Sequence, residues 1–357
     1  MSISLKRYGW NEFVAQAFQS LERTADLVPG RIAIQHRGAF TVYTEFGDIR
    51  AHAAGRMRHE AMDVGAMPAV GDWVALRSPE HSGAGIIEAV LPRKSSFLRK
   101  MTGTKSVQQV IAANIDVAFL VNGLDADFNV RRIERYLVLS KESGAQSVII
   151  LNKVDLCESL DEVVDVVRSV GGDTPVHVMS ALHESGMEVF QKYLPPGTTG
   201  VLLGSSGVGK STIMNVLLGE KKQEVKEVRD SDGEGRHTTS SRELILLPFG
   251  GLLIDTPGMR ELQLWGDSES LSDAFTDIEE LALECRFRDC SHAVEPGCAI
   301  QRAIGEGRLD QDRYDHFLKL QKEIAYLERR RDVRAQLDEK KRVKKLTSKQ
   351  KRSPKRR

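Results

Sequence analysis

The sequence has no run of eighteen or more apolar residues, so it offers no candidate for a membrane-spanning helix. Its opening, MSISLKRYGWNEF, lacks the stretch of about seven consecutive apolar residues that a secretory leader needs. A cytoplasmic protein without a membrane role is the expectation. Cysteine is scarce, with four in 357 residues, and three of them fall between positions 285 and 298. That placing excludes a disulfide framework spanning the fold and points to a clustered role for the thiols. There is no internal repeat. The final stretch 340–357, KKRVKKLTSKQKRSPKRR, has eleven Lys or Arg and no acid. The formal net charge of +1 therefore averages a tail of about +11 and a body of about −10. Such a tail cannot build a core. It is expected to be disordered and drawn to polyanions such as RNA, the plainer reading being a solubilising extension.

What is present divides into five segments. Residues 1–30 are an N-terminal extension in which WNEFVAQAFQSLE repeats apolar residues at helical spacing. Residues 31–103 carry short β-type runs (RIAIQH, AFTVYTEF, VGDWVALR, GAGIIEAVLP) at a spacing that suits a small barrel, OB-like or SH3-like. Residues 104–112 read as a linker opening the segment 104–265. There apolar strands alternate with amphipathic helices such as NVRRIERYLVLSKES. That alternation predicts a mostly parallel sheet with helices on both faces, with ligands at the carboxyl ends of its strands. Residues 266–338 read as helices around the cysteine cluster, and 339–357 as the basic tail. The fold class is thus multidomain α/β.

The strand ends carry the chemistry. VLL (201–203) runs into GSSGVGKST, which is Gly204, Ser205, Ser206, Gly207, Val208, Gly209, Lys210, Ser211 and Thr212. A Gly-x4-Gly-Lys-Ser loop between strand and helix is a phosphate cradle. Its backbone amides turn inward, Lys210 reaches the β and γ phosphates and assists catalysis, and Ser211 offers its hydroxyl to Mg²⁺. The base is read by NKVD, Asn152, Lys153, Val154 and Asp155. A carboxylate at Asp155 can accept both N1–H and the exocyclic amine of guanine, a donor pair adenine does not present. Ser180 and Ala181 end the next strand and support the same site. DTPG supplies Asp255 for Mg²⁺ and the Gly258 amide for the γ-phosphate. Of the adjacent Thr238 and Thr239, Thr239 is the chosen switch threonine that closes on Mg²⁺. Where Ras-type enzymes place a water-orienting glutamine, this chain has Met259, so intrinsic hydrolysis is expected to be slow. His237 is the candidate to supply the missing catalytic contact.

Cys285-x4-Cys290-x-His292-x5-Cys298 offers three thiolates and one imidazole, a closed set suited to one structural Zn²⁺ per chain. Buried thiols or a redox pair are the alternatives.

The order NKVD, SAL, GSSGVGKST, GRHTT, DTPGMRE, followed by CRFRDCSHAVEPGC, resembles the ribosome small-subunit-dependent GTPase A family (RsgA, or YjeQ) over residues 10–330. The resemblance implies an N-terminal OB-fold, a central circularly permuted GTPase and a C-terminal zinc domain. It also implies binding to the small ribosomal subunit and its rRNA late in assembly, with hydrolysis of GTP to GDP stimulated by the subunit, and a role for His237 in that hydrolysis. A monomer is expected. An RNA-binding assembly scaffold in which GTP only gates residence is the competing function.

Overall fold

The computed structural model describes residues 4–22, 26–60, 67–77, 84–100, 108–219, 242–255, 268–293 and 295–329. The chain forms two compact units, 1–263 and 264–357.

The first unit begins with a 3-10 turn at Leu5–Tyr8 and helix α1 (Glu12–Gln19), which starts where the Asn11 side chain accepts from the Val14 amide at 3.1 Å. Five strands follow: β1 (Val28–Gln35), β2 (Phe40–Thr44), β3 (Gly47–Ala53), β4 (Trp73–Arg77) and β5 (Gly85–Val90), with α2 (Gly55–Glu60) after β3. Their order is β1-β2-β3-β5-β4, and β4 pairs back to β1, so the sheet closes on itself. β3 and β5 run parallel, the other pairs antiparallel. This closed five-stranded topology resolves the barrel as the OB type.

Of the stretch 104–112 that reads as a linker, the described residues 108–112 are strand instead. Residues 108–113 form a strand, β7 (Gln108–Ala113), paired antiparallel with β6 (Ser96–Lys100). The run Val110 to Ala113 is buried, which explains why it is strand: four apolar residues in sequence find cover on the body.

The central sheet then takes β8 (Val117–Gly123), α3 (Val130–Ser143), β9 (Gln146–Asn152), α4 (Leu160–Gly171), β10 (Val176–Val178), α5 (Glu188–Tyr193), β11 (Thr199–Leu203), α6 (Lys210–Leu218), β12 (Arg242–Leu246) and β13 (Leu252–Asp255). Its order is β10-β9-β8-β11-β13-β12, parallel throughout except for β12. β8 is buried at every position, as a central strand covered on both faces must be. Val117, Phe119 and Val121 face α5 and α6, where Phe119 packs on Phe190 at 4.8 Å between ring centroids. On the opposite face α4 closes over Ile149, where a Cβ at Gly171 would stand 3.1 Å from the Ile149 side chain. α3 packs on β8, β9 and α4.

Barrel and central sheet are one continuous sheet of eleven strands, because β12 pairs antiparallel with β1 through Ile34↔Glu243 and Gln35↔Arg242. The Tyr43 hydroxyl donates to the Leu244 carbonyl at 3.3 Å across the same seam. The N-terminal extension packs on the body: Tyr8 stacks on Tyr43 at 4.6 Å and Trp10 meets Trp73 edge-on at 5.0 Å. Arg31, fully buried, fastens these parts. It donates to the carbonyls of Gly71 at 3.2 Å, Asn114 at 3.0 Å and Tyr8, and lies over the Trp73 ring. Burial lowers its pKa to about 10, so it stays charged at neutral pH.

The second unit contains α7 (Ser268–Ala274), α8 (Thr276–Leu283), α9 (Ala299–Gly305) and a helix over 311–329, with no strand among its described residues. The sequence SLSDAFTDIEELALEC divides at Phe275, which leaves the helix to fill the core of this unit.

Replacing Arg31 by Met keeps the bulk but takes the donor from the Tyr8 and Asn114 carbonyls and leaves that of Gly71 with the Asn114 side-chain amide alone, at 3.1 Å. The expected cost is about 3 kcal/mol of stability in urea unfolding. A loss under about 1 kcal/mol would show that the guanidinium is not what joins the extension, barrel and sheet.

Candidate nucleotide and metal sites

Four strand ends bring the predicted residues together. β9 ends on Asn152, β11 on Leu203 ahead of the glycine loop, and β13 on Asp255, while β10 leads into Ser180 and Ala181. In the parallel register β11 lies between β8 and β13, so the loop from Gly204 emerges beside Asp255.

Asn152, almost completely buried, ties the loops to one another. Its Nδ2 donates to the Val208 carbonyl at 2.8 Å, its Oδ1 accepts from the Ala181 amide at 2.9 Å, and its own carbonyl accepts from the Leu124 amide at 2.8 Å. One residue of the base-reading motif therefore holds the phosphate loop, the Ser-Ala motif and the β8–α3 loop. Asp155 is exposed, and the Ser180 hydroxyl donates to its carboxylate. That hydrogen bond holds Asp155 below the ordinary carboxylate range, ionised and aimed. Lys153 takes a left-handed backbone, φ 64°, and its ammonium meets Asp125 at 2.5 Å. Val154 continues the turn, its amide on the Met179 carbonyl at 3.2 Å.

The phosphate loop shows why its glycines stand where they do. At Gly204 a Cβ would strike the Val121 carbonyl, and at Gly209, φ 100°, it would strike the Asn152 amide. Ser206 and Gly207 are exposed at the tip and Val208 is buried beneath it. Gly209 opens α6, with Lys210, Ser211 and Thr212 in its first turn. The Lys210 ammonium donates to the carbonyls of Gly204 at 2.8 Å and Ser205 at 2.5 Å. His237, Thr238, Thr239, Gly258, Met259 and the basic tail lie outside the described residues.

Residues that the motifs do not include also border the site. The β8–α3 loop places Asp125 against Lys153, and Asp127 against Arg132, which in turn donates to the Ser205 hydroxyl at 2.9 Å. The signal available in the sequence was position: this loop follows the carboxyl end of a parallel strand.

In the second unit Cys285, Cys290, His292 and Cys298 present one donor atom each, all within 4.8 Å of one another. The Cys285 and Cys298 sulfurs are 3.9 Å apart, and His292 Nδ1 is 3.4 and 3.6 Å from them. Zinc bonds of about 2.3 Å to sulfur and about 2.0 Å to nitrogen in a tetrahedron require about 3.8 Å between sulfurs and about 3.5 Å from sulfur to nitrogen. The donor set fits. His292 has φ 61°, and the Gln301 side chain donates to its carbonyl at 2.7 Å. Burial pushes the Cys285 thiol up, and the amides of Ala299 and Ile300 more than offset this, leaving it below the ordinary thiol range. Cys298 caps α9 by accepting from the Gln301 amide. Four protein donors leave no open position, so a metal here would be structural. Cys157 lies apart, in the turn after Asp155. Elemental analysis should find one zinc per chain, and Cys290→Ala should lose it together with helical signal from the second unit. Full helicity without metal would remove the structural role.

The comparisons agree with this geometry. Residues 90–265 match the family model described as RsgA GTPase. The small ribosomal subunit biogenesis GTPase RsgA of Opitutus terrae is 45% identical over 353 residues, covering 96% of each chain. RsgA 1 of Oceanobacillus iheyensis is 42% identical, covering 90% of this chain and 92% of the relative. Among solved structures, YjeQ from Thermotoga maritima superimposes with a TM-score of 0.62 at 28% identity, over 84% of this chain and 99% of that one. YloQ, described as a circularly permuted GTPase, gives 0.58 at 25% identity, over 87% and 98%. The NKVD and GSSGVGKST loops, which meet through Asn152 in reversed chain order, are what such a permutation leaves, and the chain belongs to the RsgA GTPase family.

Proposed function

We propose that this chain binds GTP at the ends of β9, β10, β11 and β13 and hydrolyses it as a factor in biogenesis of the small ribosomal subunit. The observation that carries the reading is the Asn152 amide. It joins the NKVD loop to the phosphate loop within one hydrogen bond, so a base held by Asp155 and phosphates held by Lys210 can belong to one nucleotide. In this reading Asp155 accepts the two guanine donors and the stem of Lys153 covers the ring. Amides of Ser206 to Lys210 face the phosphates, and Lys210 leaves the carbonyls of Gly204 and Ser205 for the β and γ oxygens. Ser211, Asp255 and Thr239 would hold Mg²⁺, which supplies charge neutralisation between the β and γ phosphates when bound. Gly258 would donate its amide to the γ-phosphate.

Hydrolysis needs a water held in line, and Met259 has no group to hold it. We assign that task to His237, with the small subunit bringing it into place. The OB barrel, the zinc unit and the 340–357 tail would contact rRNA, the tail through phosphates alone. The relatives' names, which describe small ribosomal subunit biogenesis GTPases, support this assignment.

Asp155→Asn tests the base. An asparagine donates where guanine also donates but matches the 2-oxo group of xanthine, so GTP affinity should fall about a hundredfold while XTP affinity rises. Equal retention of ATP and GTP by the unaltered chain would defeat the guanine reading. For the reaction, turnover should be slow alone and rise at least tenfold with purified small subunits, and His237→Ala should abolish the rise. Turnover indifferent to subunits, with binding still nucleotide-dependent, would favour the scaffold function instead.

A further inference from the structure

Two cations meet at Ser205. Lys210 rests on its carbonyl at 2.5 Å, and Arg132 donates from Nη1 to its hydroxyl at 2.9 Å. The lysine of such a loop reaches the β and γ phosphates, so Ser205 marks the γ end of the cradle. Arg132 is not placed there by chance of a mobile side chain. It is the third residue of α3, whose first turn is fixed by Asn129 accepting from the Arg132 amide at 3.3 Å. Asp127 then grips the guanidinium twice, at 2.9 and 3.2 Å, and its backbone carbonyl accepts a further bond at 3.3 Å. Asp127 itself reaches Ser205 at 3.5 Å, closing a three-membered network. The guanidinium is the more covered partner, 28% exposed against 63% for the carboxylate.

We infer that Arg132 is a positioning residue for the triphosphate: it sets the Ser205 turn of the phosphate loop and holds guanidinium donors at the γ end, favouring GTP over GDP. Asp127 keeps the guanidinium oriented, and the hydrogen bonds between them raise the Arg132 pKa and lower that of Asp127. An arginine held within the same chain near transferring phosphate is a known way to offset charge that develops in phosphoryl transfer. In this sequence the position after DTPG is Met259, which carries no polar group for that task. The inference rests on the guanine-nucleotide reading above.

The test uses the full chain as wild type, Arg132→Ala, Arg132→Lys and Asp127→Asn. GDP and a non-hydrolysable GTP analogue are titrated calorimetrically, and kcat and KM are measured for GTP. Arg132→Ala should weaken the analogue about tenfold and GDP less than about twofold, with kcat falling more than KM rises. Arg132→Lys should recover part of the loss, and Asp127→Asn should shift the ratio in the same direction. Equal losses for analogue and GDP, or no change in their ratio, would overturn the inference. If Arg132→Ala does not fold, the lysine and Asp127 variants decide by the same ratio. A wild-type chain that fails to prefer guanine nucleotides would fault the proposed function, whereas normal GTP binding with unchanged ratios would fault only the role of Arg132.

Discussion

A single buried amide organises this site. Asn152 spends its donor on the phosphate loop and its acceptor on the Ser-Ala turn, while its backbone carbonyl takes the loop after β8. An amide this deeply buried cannot leave either atom unpaired without a cost of about 1–3 kcal/mol, so the three loops are held in one arrangement or all are disturbed together. Gly209 is the complement of that constraint, since the amide occupies the place where a side chain would stand. The missing Cβ at Gly209 is what admits the asparagine.

The same constraint makes the reversed chain order harmless. Hydrogen bonds and sheet register are indifferent to where the polypeptide begins, provided the cut falls between surface loops. Here β8 and β11, neighbours in the sheet, are separated in sequence by two helix–strand units and α5, and their register from Val117↔Gly200 to Leu120↔Leu203 is unbroken. The cut places the barrel ahead of the sheet and the cysteine unit behind it.

Features built from consecutive residues were legible in the sequence. The glycine loop, NKVD, the parallel alternation and the four metal donors each declare themselves within a few positions, because backbone geometry or ligand spacing demands those residue types locally. The Cys and His spacing left buried thiols open, and the distances between donors narrow that choice. Contacts across long separations were not legible. Arg132 and Ser205 lie 73 positions apart, and Tyr43 and Leu244 lie 201 apart. No periodicity records such pairs. β7 overlaps the stretch 104–112 that reads as a linker, because its apolar run is short and follows two glutamines; its burial depends on partners the local sequence does not name. Periodicity also could not choose between two barrel types, since the choice lies in the β4-to-β1 closure.

The seam between β1 and β12 bears on how the protein can be divided. Barrels of this kind are often handled as detachable cassettes, yet here the first barrel strand is also the neighbour of the last strand of the GTPase sheet. Excising residues ahead of β6 would unpair β12 at Arg242 and Glu243 and take the Tyr43 hydroxyl from the Leu244 carbonyl, leaving that edge of the sheet open. Exposed margins of that sort recruit other chains, so an isolated catalytic fragment would tend toward self-association.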